Sequence, residues 1–184
     1  MAVPSPERAE EILADYNLPD GIVVHSRGVA RVAAEAARLV AAAGIPLDAQ
    51  LVASAALLHD IDKTATRGSL DHGVLGSRWL TEMGHPELAL PVASHPVTAL
   101  LDEDRFPRGW PSVIVSVADR HVAQEFLTTD ARIDDLVARH PEYAESLELA
   151  RRPAQALELE LAEVCGIAVP ELVDHLRRAW EADR

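Results

Sequence analysis

The sequence predicts an all-α fold, and three observations carry that prediction. Apolar residues recur at three- and four-residue steps through almost every segment of the 184-residue chain. No credible run of alternating β-branched residues interrupts them. Prolines and glycines fall where helices begin and end.

The elements follow in order. Ser5-Pro6 opens a first helix, with serine as N-cap and proline at the first helical position, running to about Asn17. Asp20 to Ala43 forms a long helix whose apolar stripe is Val29, Val32, Ala33, Ala36, Leu39 and Val40, closed by Gly44. Asp48 caps the next helix, which ends near His59-Asp60. Thr64 to Asp71 reads as a loop centred on Gly68 and Ser69. A helix runs from about His72 to Met83 and stops at Gly84. Pro86 starts a short helix that ends near His95, because Pro96 pushes the preceding residue out of the helical region. Residues 96–110, with Pro96, Pro107 and Gly109, read as an exposed loop. Pro111 opens a helix through Phe126, and Asp130 caps another that ends at His140-Pro141. Glu142–Cys165 and Pro170–Ala182 are charged amphipathic helices. The whole of 1–184 reads as a single domain.

Composition narrows the function. A formal net charge of −13 opposes a nucleic-acid backbone or an anionic membrane surface as partner. One cysteine, Cys165, excludes an intramolecular disulfide and a thiolate metal site. The N-terminus lacks the basic and apolar regions of a signal peptide, and no apolar run approaches the roughly 20 residues that span a bilayer. A soluble, cytoplasmic protein is expected. The C-terminal amphipathic helices could cover a second copy as well as the chain's own core, which leaves a homodimer open.

Two features stand out against this background: eight histidines, and a single lysine, Lys63. His25 lies four residues before Val29, on the buried edge of its helix. His59 and Asp60 end the strongly apolar helix AQLVASAALL. His72 begins a helix, His95 ends one, and Asp119 follows the apolar run VIVSVA. A carboxylate there is costly to bury unless a charge or a metal pairs with it. Imidazole and carboxylate together suit iron, manganese, zinc or a similar divalent ion. His85, His121, His140 and His175 read as surface residues. Of the tryptophans, Trp79 reads as core, and Trp110, rather than Trp180, stands near a plausible cleft.

The order His…His-Asp…Asp, with the surrounding text HSRGVARVA, AALLHDIDK, DHGVLG, ASH and VADR, resembles the HD superfamily of metal-dependent phosphohydrolases. In layout the chain is similar to the symmetrical dinucleoside tetraphosphate hydrolases, with HDIDK, DHG, VASHP and ADRHVAQ as counterparts. The resemblance implies a metal-binding core over 20–126 with a helical extension over 127–184. It implies that His25, His59, Asp60 and Asp119 bind one divalent ion. It further implies that Asp60 bridges to a second ion held with His72 and His95.

Two such ions about 3.5–4 Å apart can share a hydroxide and aim it at phosphorus. The expected activity is hydrolysis of a phosphomonoester or phosphoanhydride in a small nucleotide-like molecule, with Asp60 and Lys63 at the catalytic centre. Lys63 matches the lysine of the HD-x-x-K variant and stands one turn beyond Asp60. Arg27, Arg67 and Arg120 are further candidates for phosphate contacts, since guanidinium offers bidentate geometry. Two other readings accompany this one: a di-iron oxygenase of the HD type, and a non-catalytic nucleotide-binding regulator.

Overall fold

Capping residues set most of the helix boundaries. A computed structural model describes residues 3–67 and 69–182. Helix α1 (Pro6–Asp15) starts where the Ser5 hydroxyl accepts from the Arg8 amide, with Pro6 pre-set for the first turn. The long α2 (Asp20–Ala42) runs into Gly44 at a φ of +83°. Asp48 caps α3 (Ala49–Leu58) by accepting from the Leu51 amide. There follow α4 (Lys63–Thr66), α5 (Val74–Glu82) and α6 (Ala89–Ala93), then α7 (Trp110–His121) and α8 (Thr129–Arg139). Finally α9 (Ala144–Val164) and α10 (Val169–Glu181) complete the described chain. No strand occurs among the described residues beyond an isolated bridge between Val122 and Phe126, so the fold is all-α.

Helix α3 is central. It is apolar around most of its circumference, and it packs on α1, α2, α6 and α7. Helix α2 packs in turn on α7 and α10. One hydrophobic cluster takes in residues from Ala9 to Trp180, including Leu58, Ile114, Leu161 and Leu172. Each such buried side chain is worth about 1.5–3 kcal/mol relative to exposure. None of the described helices is long and apolar enough to cross a membrane.

Four boundaries depart from the sequence expectation. The segment expected as a loop over 64–71 holds the short helix α4, closed by Arg67 in the left-handed region at a φ of +49°; Gly68 lies outside the described residues. The expected exposed loop over 96–110 contains a 3₁₀ turn, Val97–Leu101, that buries Val97, Ala99 and Leu100 against α9. Helix α7 stops at His121 rather than Phe126, because the chain doubles back. The Leu127 amide donates to the His121 carbonyl at 2.9 Å, and His121 Nδ1 donates to the Leu127 carbonyl at 2.7 Å. Thr128, not Asp130, caps α8, its hydroxyl accepting from the Ala131 amide.

Candidate metal centre

Six residues from five parts of the chain come together, and all but His59 line one cavity. His25 comes from α2, His59 and Asp60 from the turn after α3, His72 from the turn before α5, His95 from the turn after α6, and Asp119 from α7. His59, Asp60 and His95 are almost completely buried, and the Asp119 side chain is 14% exposed.

Hydrogen bonds at Nδ1 orient three of the imidazoles, two through backbone carbonyls and one through a carboxylate. His59 Nδ1 donates to the Ala56 carbonyl and His95 Nδ1 to the Val92 carbonyl, each at 2.7 Å. His72 Nδ1 donates to Asp62 Oδ1 at 2.7 Å. With Nδ1 carrying the proton, each Nε2 is left with its lone pair directed at the cluster. There the nitrogens pair off: His25 Nε2 lies 3.1 Å from His59 Nε2, and His72 Nε2 lies 3.0 Å from His95 Nε2.

Asp60 stands between the two pairs. Its Oδ2 is 3.6 Å from His25 and 3.7 Å from His59, while its Oδ1 is 3.0 Å from His72 and 3.5 Å from His95. Asp119 Oδ1 adds to the first pair, at 3.0 Å from His25 and 3.5 Å from His59. The lone pairs of His72 and His95 thus face each other at about 3 Å in a buried setting, which is unfavourable unless a proton or a cation lies between them. Ligand atoms of His25, His59 and Asp119 fall within 4.8 Å of one another, as do those of His59, Asp60 and His95. The donor set therefore fits divalent metal.

Electrostatics agrees. Burial alone would raise the Asp60 carboxyl, but Lys63 and His59 hold it well below its ordinary value. Burial likewise opposes ionisation of Asp119, and the bonds from His25 and His59 overcome it. Burial pushes His59 and His72 down, but the neighbouring carboxylates win and both end raised. For His95 burial wins, and its pKa falls to about 4. The centre is thus two ionised carboxylates in a ring of imidazoles.

Asp62 was not among the residues expected at the site. It is fully buried, and besides His72 it accepts from the Gly73 and Gly76 amides, both at 2.8 Å. A Cβ at Gly76 would stand 3.3 Å from Asp62 Oδ2, and Gly73 has a φ of +81° with the Val92 carbonyl 2.8 Å from any added Cβ. Both glycines let the turn close on the carboxylate. Arg105 fastens the same turn from outside, its guanidinium donating to the Ala93, Leu70 and His72 carbonyls at 2.9–3.1 Å.

The cationic candidates divide. Lys63 lines the cavity; its Nζ donates to Asp60 Oδ1 at 3.2 Å and lies 3.0 Å from His72 Nε2. Arg27, Arg67 and Arg120 do not line it. Arg27 is drawn to the surface, where its Nε and Nη2 donate to Glu10 on α1 at 2.7–3.2 Å. Arg67 is exposed at the end of α4. Arg120 is fully buried: one residue past Asp119 on a helix it points about 100° away, and its Nη1 donates to Ser116. Burial pushes Arg120 down to about 10, against the pull of Glu158.

The surface reading of His121 also fails. It is fully buried, stacked on Phe126 with its Nε2 2.7 Å from Glu158 Oε1, so it serves the α7–α9 packing. His140 lines the cavity, and so does Trp180, whereas Trp110 does not. Three unforeseen arginines also line it: Arg31, Arg132 and Arg139. Arg31 could have been found from the steps Gly21, Val24, Gly28, Arg31, which continue the flank of α2 beside His25.

A helical fold that gathers histidines and aspartates from separate helices defines a class of metal-binding domain. The chain belongs to the HD-domain family: that family's model matches residues 22–164, well over half of its length. HD domains bind divalent metals and are commonly metal-dependent hydrolases. The chain is 30% identical to an uncharacterized protein of Methanocaldococcus jannaschii over 141 residues, which are 72% of this chain and 82% of that relative. It is 27% identical over 180 residues to a tRNA (cytidine(56)-2'-O)-methyltransferase of Picrophilus torridus. That match takes in 95% of this chain and spans only about half, 51%, of the methyltransferase. No solved structure gives a significant match.

Proposed function

We propose that the chain is a phosphohydrolase that uses two divalent ions to cleave a phosphomonoester or phosphoanhydride of a small, nucleotide-like molecule. One observation carries the reading: two facing pairs of imidazole nitrogens with one oxygen of Asp60 directed at each pair. His25, His59, Asp119 and Asp60 Oδ2 would hold one ion, and His72, His95 and Asp60 Oδ1 the other. When bound, such ions supply an activated hydroxide and neutralise phosphoryl oxygens; iron, manganese and zinc all suit the ligands.

The remaining work falls to the chain. Asp62 keeps the His72 proton on Nδ1. The buried backbone bonds of His59 and His95 do the same for their rings. Lys63 has its ammonium where a cation belongs, between Asp60 and His72. Lys63 lines the cavity, where its Nζ would pair with a phosphoryl oxygen. Because the protein carries −13, the anionic group can be attracted only by such local positive charge. The same charge opposes tRNA as a ligand, despite the name of the Picrophilus torridus relative.

The test is phosphate release from a panel of nucleotides and phosphomonoesters by protein loaded with Mn²⁺, Fe²⁺ or Zn²⁺. Metal-dependent release that vanishes in Asp60→Ala supports the reading. Release that survives in Asp60→Ala, or none with any loaded metal, refutes it.

A further inference from the structure

The cavity over the histidine cluster has a volume of about 830 Å³, in the range of pockets that hold whole drug-sized ligands. It runs from the cluster along α2, from His25 past Gly28 to Arg31. Six residues of helix rise put Arg31 roughly 9 Å beyond His25 along the axis. Between them the wall is apolar. Gly28 has no side chain to fill the space, and Val122 and Trp180 approach its α-carbon so closely that an added Cβ would meet them at 3.1 and 3.8 Å. Leu136 continues this apolar stretch.

Arg31 is anomalous. Its Nε is buried with no hydrogen-bond partner, and no carboxylate pairs with it among the described residues. Other arginines of this acidic chain have found partners: Arg27 with Glu10, Arg38 with Glu35, Arg151 with three carboxylates. An unpaired guanidinium facing a cavity is a donor without an acceptor. Two more arginines line the same cavity from α8, Arg132 and Arg139. They share one carboxylate, Asp135, at 3.3 Å and 2.5 Å. Glu125 is the other carboxylate that lines the cavity outside the histidine cluster, and it is exposed. Three guanidiniums against one paired carboxylate and one solvated carboxylate leave the region locally positive.

We infer that Arg31, supported by Arg132 and Arg139, forms a second phosphate subsite, so that the substrate carries two phosphate groups on a body that lays an apolar face against the wall between them. The first phosphate goes to the histidine end, and the second goes to the arginine end. Guanidinium suits the role because its planar fork binds phosphate oxygens in pairs. This inference rests on the phosphohydrolase reading, since it takes the histidine end to hold the scissile group.

The test uses two non-hydrolysable probes, hexylphosphonate and hexane-1,6-bisphosphonate, titrated calorimetrically into Mn²⁺-loaded protein. Two equal ends alone give about a twofold statistical gain. A second charge-assisted contact makes the bisphosphonate at least about tenfold tighter. In Arg31→Gln the ratio of the two affinities falls to about two, and in Arg132→Gln it falls part of the way. Hexylphosphonate binding by each variant reports that it is folded. A ratio near two in the unaltered protein overturns the subsite while leaving the phosphohydrolase reading intact. A tenfold ratio retained in both variants also overturns it. If neither probe binds the loaded protein, the phosphohydrolase reading falls and takes the second subsite with it.

Discussion

Substituting Asp62 by asparagine tests how the second ion's ligands are oriented. The Asp62 carboxylate is fully buried and accepts three hydrogen bonds, from His72 Nδ1 at 2.7 Å and from the Gly73 and Gly76 amides at 2.8 Å. Both amides use Oδ2, so the single oxygen of asparagine can keep them. Its NH2 group must then face His72 Nδ1, where two donors would meet. The imidazole escapes by moving its proton to Nε2, which removes the lone pair directed at Asp60. Losing a charged acceptor costs about 1.5–3 kcal/mol. At roughly 2–4 °C per kcal/mol for a chain of this size, the melting temperature falls by about 3–12 °C. Disturbing a partner of a metal-binding histidine lowers metal affinity about 10–100-fold. Because Asp62 touches His72 and not His25, His59 or Asp119, the loss should fall on one ion only. Calorimetric titration of Mn²⁺ into chelator-treated Asp62→Asn should show one ion bound as before and one weakened. Two ions bound with unchanged affinities would show that Asp62 does not orient His72 for metal, whatever happened to the melting temperature.

Further outcomes follow from neighbouring contacts. Arg105→Ala should lower the melting temperature and weaken Mn²⁺ binding several-fold, because three carbonyls on the His72 and His95 turns lose a half-buried donor; calorimetry and thermal melts would check both. The pH dependence has a definite sign. His59 and His72 have folded-state pKa values raised above the ordinary 6.5. In chelated protein their contribution is therefore present below about pH 6.5 and lost as pH rises through the raised values. His95, lowered to about 4, contributes in the opposite sense, losing stability as pH falls through about 6.5. Metal requires all of these rings neutral, so the stabilisation by added Mn²⁺ should grow between about pH 5.5 and 8. Thermal melts with and without Mn²⁺ across that range would measure it; a stabilisation independent of pH would contradict the ligand set.

Local signals in the sequence announce most of the fold. Ser5-Pro6, Asp48 and the glycines after α2 and α5 mark helix ends by chemistry confined to a few residues, and these helices lie within about two residues of the expectation. Where the chain is shaped by distant contacts, the sequence is silent. The letters VAQEF continue an apolar pattern past His121, yet the helix ends because Leu127 returns to bond His121. VTALL was hidden between prolines and charges, although its apolar residues bury against α9. At the site, the meeting of the six histidines and aspartates follows their order along the chain. The arginines do not. Arg120, a candidate phosphate contact by its guanidinium, follows Asp119 directly, and adjacency on a helix means a different face. Arg31 and Asp62 acquire their surroundings only when α8, α10 and the His72 turn are in place.

The proposed function requires the cluster to hold two ions, one at each imidazole pair. Anomalous scattering from crystals of Mn²⁺-loaded protein measures this most directly. Two peaks per chain are expected, one bounded by His25, His59 and Asp119 and the other by His72 and His95, with Asp60 reaching both. A single peak, with His72 and His95 turned away from it, would rule out the two-ion centre.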